Sequence, residues 1–319
     1  MVSVVIVNWN GGKFLQKCLQ ALSLQTLTPT RIFVVDNGST DHSSDWAEMI
    51  DGVAVKRLGR NYGFAAANNS VLDECNTKLV ALLNPDAFPE PGWLEALVVA
   101  SQLYPDVVAF GSRQMMYGAD KKVDGLGDVY HLSGLVWRRG HGRELRIVDT
   151  NSHEIFSASA GAALYRREAL VDVGGFDEDF FCYLEDVDLG FRLRLAGGRS
   201  MYVPDAVVQH VGSATTGGQH SDFSIYHGHR NLVWTYVKNM PGWIFWACLP
   251  LHLAMNILAI FWFISRGQGR VILRAKLDAL VGLPWMWHKR KEIQRHRVAS
   301  VAEIWRVLDK RVIAGRRGR

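Results

Sequence analysis

Two aspartates stand where short apolar runs give way to turn-forming residues. Asp36 follows residues 31–35, and Asp86 closes Asn84-Pro85-Asp86 just after residues 79–83. A carboxylate at the end of the first of these runs is well placed to accept hydrogen bonds from a nucleoside. One at the end of the other can hold a divalent cation that neutralises a diphosphate. Taken singly, each can equally well cap the helix that follows. A second acidic group, Leu184-Glu185-Asp186-Val187-Asp188, opens a run in which apolar residues mix with Asp and Arg. On a helix, Asp186 and Asp188 project about 200° apart, so the two cannot both face one substrate. Pairing with Arg192 and Arg194 on a solvated helix face is the plain alternative. His210 ends a short run around Val207 and Val208 and precedes the small residues of 212–218. Neutral imidazole is an acceptable metal ligand beside a carboxylate and phosphate oxygens, and a small-residue loop suits a lid.

The elements that must position these groups alternate. Residues 2–7 read as a buried strand that runs into Asn8-Trp9-Asn10-Gly11-Gly12, and Phe14, Leu15, Cys18, Leu19 and Leu22 have helical spacing. Strands over 31–35, 53–58 and 79–83 and a helix over 64–75 follow. Such alternation predicts an α/β fold with a mostly parallel sheet, in which ligands sit outside the carboxyl ends of the strands. Asn8, Asp36, Asn61 and Asp86 occur at those points. Farther on, the sequence predicts strands at 107–110, 158–165 and 201–203, a helix over 185–196, and loops with short hairpins over 113–153.

With 319 residues, 48% of them hydrophobic, the chain can build one large α/β domain or two small ones. That excludes a disordered or disulfide-stapled chain. Four widely spaced cysteines form no metal-binding or disulfide pattern and point to a reducing setting. No signal peptide precedes the first strand, so the catalytic bulk is expected in the cytosol. The net charge of +5 hides an asymmetry: residues 266–319 carry 15 Lys/Arg against 4 Asp/Glu, or +11, leaving −6 for the rest. This basic segment directly follows 22 uncharged residues, 243–264, with aromatics at both ends. A basic flank beside an apolar segment suits anionic lipid better than nucleic acid, so no nucleic-acid partner is expected. The apolar stretch is long enough to cross a bilayer core. It can instead re-enter the membrane, lie on it, or fold as a buried hairpin broken at Pro250. Domains are expected at 1–240 and 241–319.

In order and spacing, V-S-V-V-I-V-N-W-N-G, V-V-D-N-G-S-T-D, N-Y-G-F-A-A-A-N-N and L-L-N-P-D-A closely resemble the family 2 glycosyltransferases over roughly residues 2–240. The resemblance implies a GT-A fold, a nucleotide-diphospho-sugar donor, Mg2+ or Mn2+, and inversion at the anomeric carbon. It implies that Asp36 binds the nucleoside, that Asn8 and Asn10 line the base pocket, and that Asn61, Gly63 and Asn69 lie beside the ribose and diphosphate. Asp86 matches the last acid of the family's D-x-D metal motif, whose first position is here Asn84, a departure that leaves one carboxylate. His210 resembles the family's C-terminal metal ligand. Arg230, near His227 and His229, could touch the diphosphate or simply lie at an exposed helix end. Asp186 matches the general base of the acidic motif, with Glu185 and Asp188 as its flanking acids. The strings G-G-F-D-E and L-E-D-V-D-L-G-F-R look most like bacterial rhamnosyltransferases of surface-polysaccharide assembly. That likeness implies rhamnose moved from dTDP-rhamnose to a lipid-linked glycan at the cytoplasmic face of the inner membrane. A nucleotide-sugar pyrophosphorylase would need a Gly-rich, Arg-containing loop after the first strand, which residues 8–13 do not supply. A catalytically degenerate membrane-bound scaffold of the same fold is the non-enzymatic alternative, and it would lack donor hydrolysis.

Overall fold

The computed structural model of the chain describes residues 2–119, 121–212 and 221–311. Of the expected lid at 212–218, all but Gly212 lies outside the described residues. β1 (Val2–Asn8), β2 (Arg31–Asp36), β3 (Val53–Arg57) and β4 (Leu79–Leu83) run parallel in the order β4-β1-β2-β3. α1 (Lys13–Ser23) and α2 (Gly63–Asn69) connect them. β1 and β4 are buried at every residue, which is why they read as apolar runs, broken in β1 only by Ser3 and the terminal Asn8, rather than as alternations. α1 turns Leu15, Cys18, Leu19 and Leu22 to the core at i, i+3, i+4, i+7 spacing. α2 is shorter than the 64–75 expectation. At its end the Asn68 amide bonds back to the Phe64 carbonyl, Ser70 to Ala67, and Asn69 is drawn to Phe176, and such local bonds compete with the helical ladder.

Beyond β4 come β5 (Ala87–Pro89), α3 (Trp93–Leu103), β6 (Val107–Met116), β7 (Val123–Gly125), and the hairpin of β8 (Asp128–Tyr130) and β9 (Val136–Arg138). β10 (His153–Ile155), β11 (Ala162–Arg166), α4 (Arg167–Asp172), α5 (Glu185–Leu195) and β12 (Arg199–His210) complete this part. The main sheet has the path β10-β12-β6-β11-β4-β1-β2-β3. Four of its seven neighbouring pairs are parallel, and β11 is inserted antiparallel between β4 and β6, so the expected mostly parallel α/β sheet is borne out. Two strand expectations need correction. β12 is 12 residues long rather than two short runs, with its register shifted between Val203 and Val207, where Pro204 sits. A proline fits a bulge because no ladder bond needs its missing N–H. Residues 158–161 leave the sheet, and the Gly161 carbonyl accepts from Asn84 N at 2.9 Å.

The chain ends in helices: α6 (Asp222–Asn239), α7 (Gly242–Ser265), α8 (Gly269–Val281), α9 (Leu283–Arg295) and α10 (Val301–Val307). α7 is one continuous helix with Pro250 inside it, so the hairpin broken at Pro250 does not form. The expected boundary at residue 240 cuts through a shared core, in which Phe180 and Phe191 pack with Trp234, Phe245, Met286 and Leu308.

Candidate active site

A cleft of about 360 Å³ opens at the carboxyl ends of β1 and β4. One side is built by two loops tied together. The Asn8 amide donates to Ser39 Oγ (3.1 Å) and Ser43 Oγ (2.8 Å), and Asn10 Oδ1 accepts from Thr40 N (2.8 Å). Asp36 accepts from Ser39 N (2.8 Å), from Ser44 Oγ and from Arg57 (3.3 Å). These three polar residues brace the loops from behind, while their neighbours Trp9 and Asn37 line the cleft. Asn61 also lines it and accepts from the Asn37 amide at 3.0 Å. Gly63 has φ +87, and a Cβ there would lie 2.5 Å from the Phe181 carbonyl oxygen, so only glycine fits.

At the carboxyl end of β4, Asn84 and Asp86 meet His210 at the end of β12. His210 Nε2 lies 3.3 Å from Asp86 Oδ1 and 3.5 Å from the Asn84 amide. Its other nitrogen, Nδ1, is held 2.8 Å from Asp124 Oδ2, the brace commonly found behind a metal-ligating imidazole. Burial alone would raise the Asp124 carboxyl, but hydrogen bonds from His141 and His210 and the Arg138 guanidinium hold it well below the usual carboxylate range. Arg138 is 2.6 Å from Asp124. The donor set fits a divalent cation that completes its shell elsewhere: one carboxylate and one braced imidazole converge. Among the described residues no group of three or more His, Cys, Asp or Glu could hold a metal ion alone. Sites that take Mg2+ through one or two carboxylates use substrate phosphates for the rest.

The acidic motif, at the start of α5, lines the same cleft. Asp186, half-buried, lines the cleft, with Oδ2 accepting from Ala160 N (3.1 Å) and Oδ1 from Val187 N (2.8 Å). Glu185 is buried and also lines the cleft, and its Oε2 has no hydrogen-bond partner. Burial, and then the Asp186 charge, pushes its carboxyl well above the usual range. Asp128 on β8 faces the same space, bonded to Ser157 Oγ (3.0 Å). Burial, followed by the charge of Asp186, pushes the Asp128 carboxyl up to about 8. The cleft thus sets two acids that resist ionisation, Glu185 and Asp128, beside Asp186.

Residues 181–184 form a strained wall: Phe181, Tyr183 and Leu184 all have φ near +65°. Asn231 on α6 holds it, its amide within 2.9 Å of the carbonyls of Phe180, Cys182 and Tyr183. Arg230 is placed outside the cleft, donating to the carbonyls of Asp179 and Phe180 and lying over the Trp234 ring. Asn69 is likewise outside, bonded to Phe176 and Glu178. Asp188 is fully buried on the far side of α5 against Arg192 (2.8 Å), Lys238 (2.7 Å) and Asn239 (2.7 Å), as the turn between it and Asp186 requires. Of the residues singled out in the sequence, Asn61, Gly63, Asn84, Asp86, Glu185, Asp186 and His210 come together in the cleft. Asp124, Asp128, Trp137, Arg138 and Asn231 were missed. The alternation Asp124-Gly125-Leu126-Gly127-Asp128 before Val129 and Tyr130 was the available signal, diluted by glycines.

Residues 3–174 match the family model for glycosyl transferase family 2, and residues 129–287 that for glycosyl transferase family group 2. A Mycobacterium tuberculosis protein named N-acetylglucosaminyl-diphospho-decaprenol L-rhamnosyltransferase is 30% identical over 266 residues, covering 76% of this chain and 86% of its own length. The pre-mycofactocin glycosyltransferase of the same organism is 33% identical over 66% of this chain and 42% of that protein. Among solved structures, GalNAc-T7 with UDP, GalNAc and Mn2+ superposes with a TM-score of 0.60 at 16% identity, over 75% of this chain and 48% of that one. The mannosyltransferase PcManGT from Pyrobaculum calidifontis, in complex with GDP-Man and Mn2+, gives 0.54 at 18% identity over 96% of this chain and 87% of that one.

Proposed function

The chain belongs to glycosyl transferase family 2, a glycosyltransferase of GT-A fold, and from that premise we propose that it is an inverting, cation-dependent rhamnosyltransferase acting on a lipid-linked glycan. The observation that carries this reading is that the Asp86–His210 pair and Asp186 line one and the same cleft. The name of the mycobacterial relative supports the choice of rhamnose and of a lipid-diphosphate acceptor. dTDP-rhamnose is the proposed donor. Its nucleoside lies against the wall braced by Asn8, Asn10 and Asp36, and its diphosphate toward Asn61, Gly63 and Asn84. A divalent cation held by Asp86 and His210 would supply positive charge against the diphosphate.

Asp186 accepts the proton of the acceptor hydroxyl as that oxygen bonds to the anomeric carbon, and the bond to the diphosphate breaks on the opposite face. The nucleoside diphosphate leaves with the electron pair. Backbone bonds from Ala160 and Val187 fix the Asp186 carboxylate in place, which holds the base in reach without reorganisation. Glu185 and Asp128, kept neutral, avoid placing two further charges beside it. α7 is long and apolar enough to cross a membrane by length and composition. With the basic residues that follow, it supports work at the cytoplasmic face of the inner membrane. A thermal-shift screen of nucleotide-diphospho-sugars, with and without Mn2+, tests the donor, because a ligand specific to the folded state raises the midpoint by mass action. dTDP-rhamnose with Mn2+ should give the largest shift. A larger shift from a UDP- or GDP-sugar would reassign the donor.

A further inference from the structure

α7 buries one narrow stripe along most of its length. Ile244, Phe245, Cys248, His252 and Phe263 are covered, and from 244 to 263 an α-helix rises about 28 Å. What covers the stripe belongs to the catalytic body. His252 Nδ1 lies 2.7 Å from the Ser133 carbonyl and its ring stacks on Tyr236 at 4.0 Å. Asn256 accepts from Lys276 of α8 at 2.5 Å, and Phe263 meets the His229 ring at 4.8 Å. Turning α7 across a bilayer would therefore carry α6, the loop at Ser133 and the Lys276 ammonium into hydrocarbon, which polar backbone and charge oppose.

The opposite side of α7 is bare: Trp246, Leu253, Ile257 and Phe261 are all more than half exposed. α8 continues this surface. Leu273, Leu277, Leu280 and Val281 recur at i, i+4, i+7, i+8 and are exposed, while Ile272, Ala275, Lys276 and Ala279 face inward. Trp287 of α9 joins it at one end, its ring 6.5 Å from Trp246. Arg266 borders the other, its guanidinium 4.1 Å over Trp262. An apolar surface edged by aromatics and cations is the chemistry of an interfacial helix that lies in the plane of an anionic bilayer. A second copy of the chain suits this face poorly, since a two-fold contact would set two basic segments, residues 266–311 with 12 Lys/Arg against 4 Asp/Glu, against each other.

We propose that α7 does not span: it lies along the surface of an anionic membrane, and α8 shares the contact. This deepens the lipid-linked-acceptor reading and rests on it, fixing how the cleft is held relative to the leaflet. The full chain, in a Cys182→Ser background, takes a nitroxide label singly at Ala247, Leu253, Ile257, Phe261 and Leu277, and is bound to vesicles of phosphatidylcholine with phosphatidylglycerol. Collision with oxygen and with a water-soluble nickel complex reads the depth of each label. All five should lie at one shallow depth, about 5 to 10 Å. A profile with Leu253 and Ile257 near the bilayer centre, shallow ends and Leu277 in water would overturn the in-plane placement while leaving the membrane reading intact. Leu277→Asp with Leu280→Asp should cut vesicle binding at least tenfold with donor hydrolysis unchanged, and full binding by that variant would overturn the role of α8. No flotation with any vesicle, or a dimer formed through this face, would sink the membrane reading as well.

Discussion

Replacing Asp128 by Asn removes a carboxyl that folding keeps protonated. Burial and the nearby Asp186 charge push this group from its ordinary value of 3.8 up to about 8. Between those values the folded chain holds a proton that the unfolded chain releases, so this group's contribution falls as pH rises. The loss is about 1.4 kcal/mol per pH unit, or roughly 2 to 3 kcal/mol from pH 5 to pH 7. The asparagine variant has no such proton to hold. Urea unfolding at half-unit steps from pH 4.5 to 8 should therefore show the two proteins closest at the acid end, with the wild type falling away from Asp128→Asn toward neutrality. Glu185, also raised, keeps part of the slope in both proteins. Because the wild-type carboxyl is already neutral at pH 7, the variant should still transfer sugar there. Parallel stability curves would refute the reasoning, because they would mean that Asp128 is ionised in the folded chain.

Asp86→Ala and His210→Ala should each weaken cation-dependent donor binding, read by calorimetry with and without Mn2+. In the double variant the losses should be non-additive, as for groups sharing one ligand. Asp188→Asn breaks a fully buried contact to Arg192 and Lys238, and truncating one partner of a buried ion pair costs about 3 to 5 kcal/mol. It should lower the unfolding midpoint while the folded fraction keeps its turnover. Gly63→Ala would set a methyl against the Phe181 carbonyl, so it should lower both stability and donor affinity, measured by thermal shift with and without donor.

The half of the sheet that follows simple periodicity was legible in advance. β1 and β4 are apolar on both faces and end in polar turns, so Asn84 and Asp86 could be placed at strand ends from spacing alone. The other half was not. β7, β8 and β9 are three residues each and lie among glycines, too short for a period to emerge. Short hairpins were expected somewhere in 113–153, but not the position of the one that brings Asp128 and Trp137 to the cleft. Asp124 and His210 are 86 residues apart, so no local pattern reports their bond. The turn between Asp186 and Asp188 could be read from helical geometry, but not which charges would meet Asp188, since Lys238 lies on α6. Arg230 has the chemistry of a phosphate ligand, and only the tertiary packing of Trp234 and the 179–180 carbonyls directs it elsewhere.

The most direct measurement is transfer itself. The full-length protein, Mn2+, dTDP-rhamnose and a polyprenyl-diphosphate N-acetylglucosamine acceptor are incubated, and the product's mass and anomeric configuration are read by mass spectrometry and NMR. The product should carry one deoxyhexose in the configuration opposite to the donor's. Asp186→Asn should bind donor with near wild-type affinity yet transfer about 10² to 10⁴-fold more slowly. Retained configuration, or an Asp186→Asn variant turning over at the wild-type rate, would contradict the assignment of Asp186 as the base of an inverting displacement.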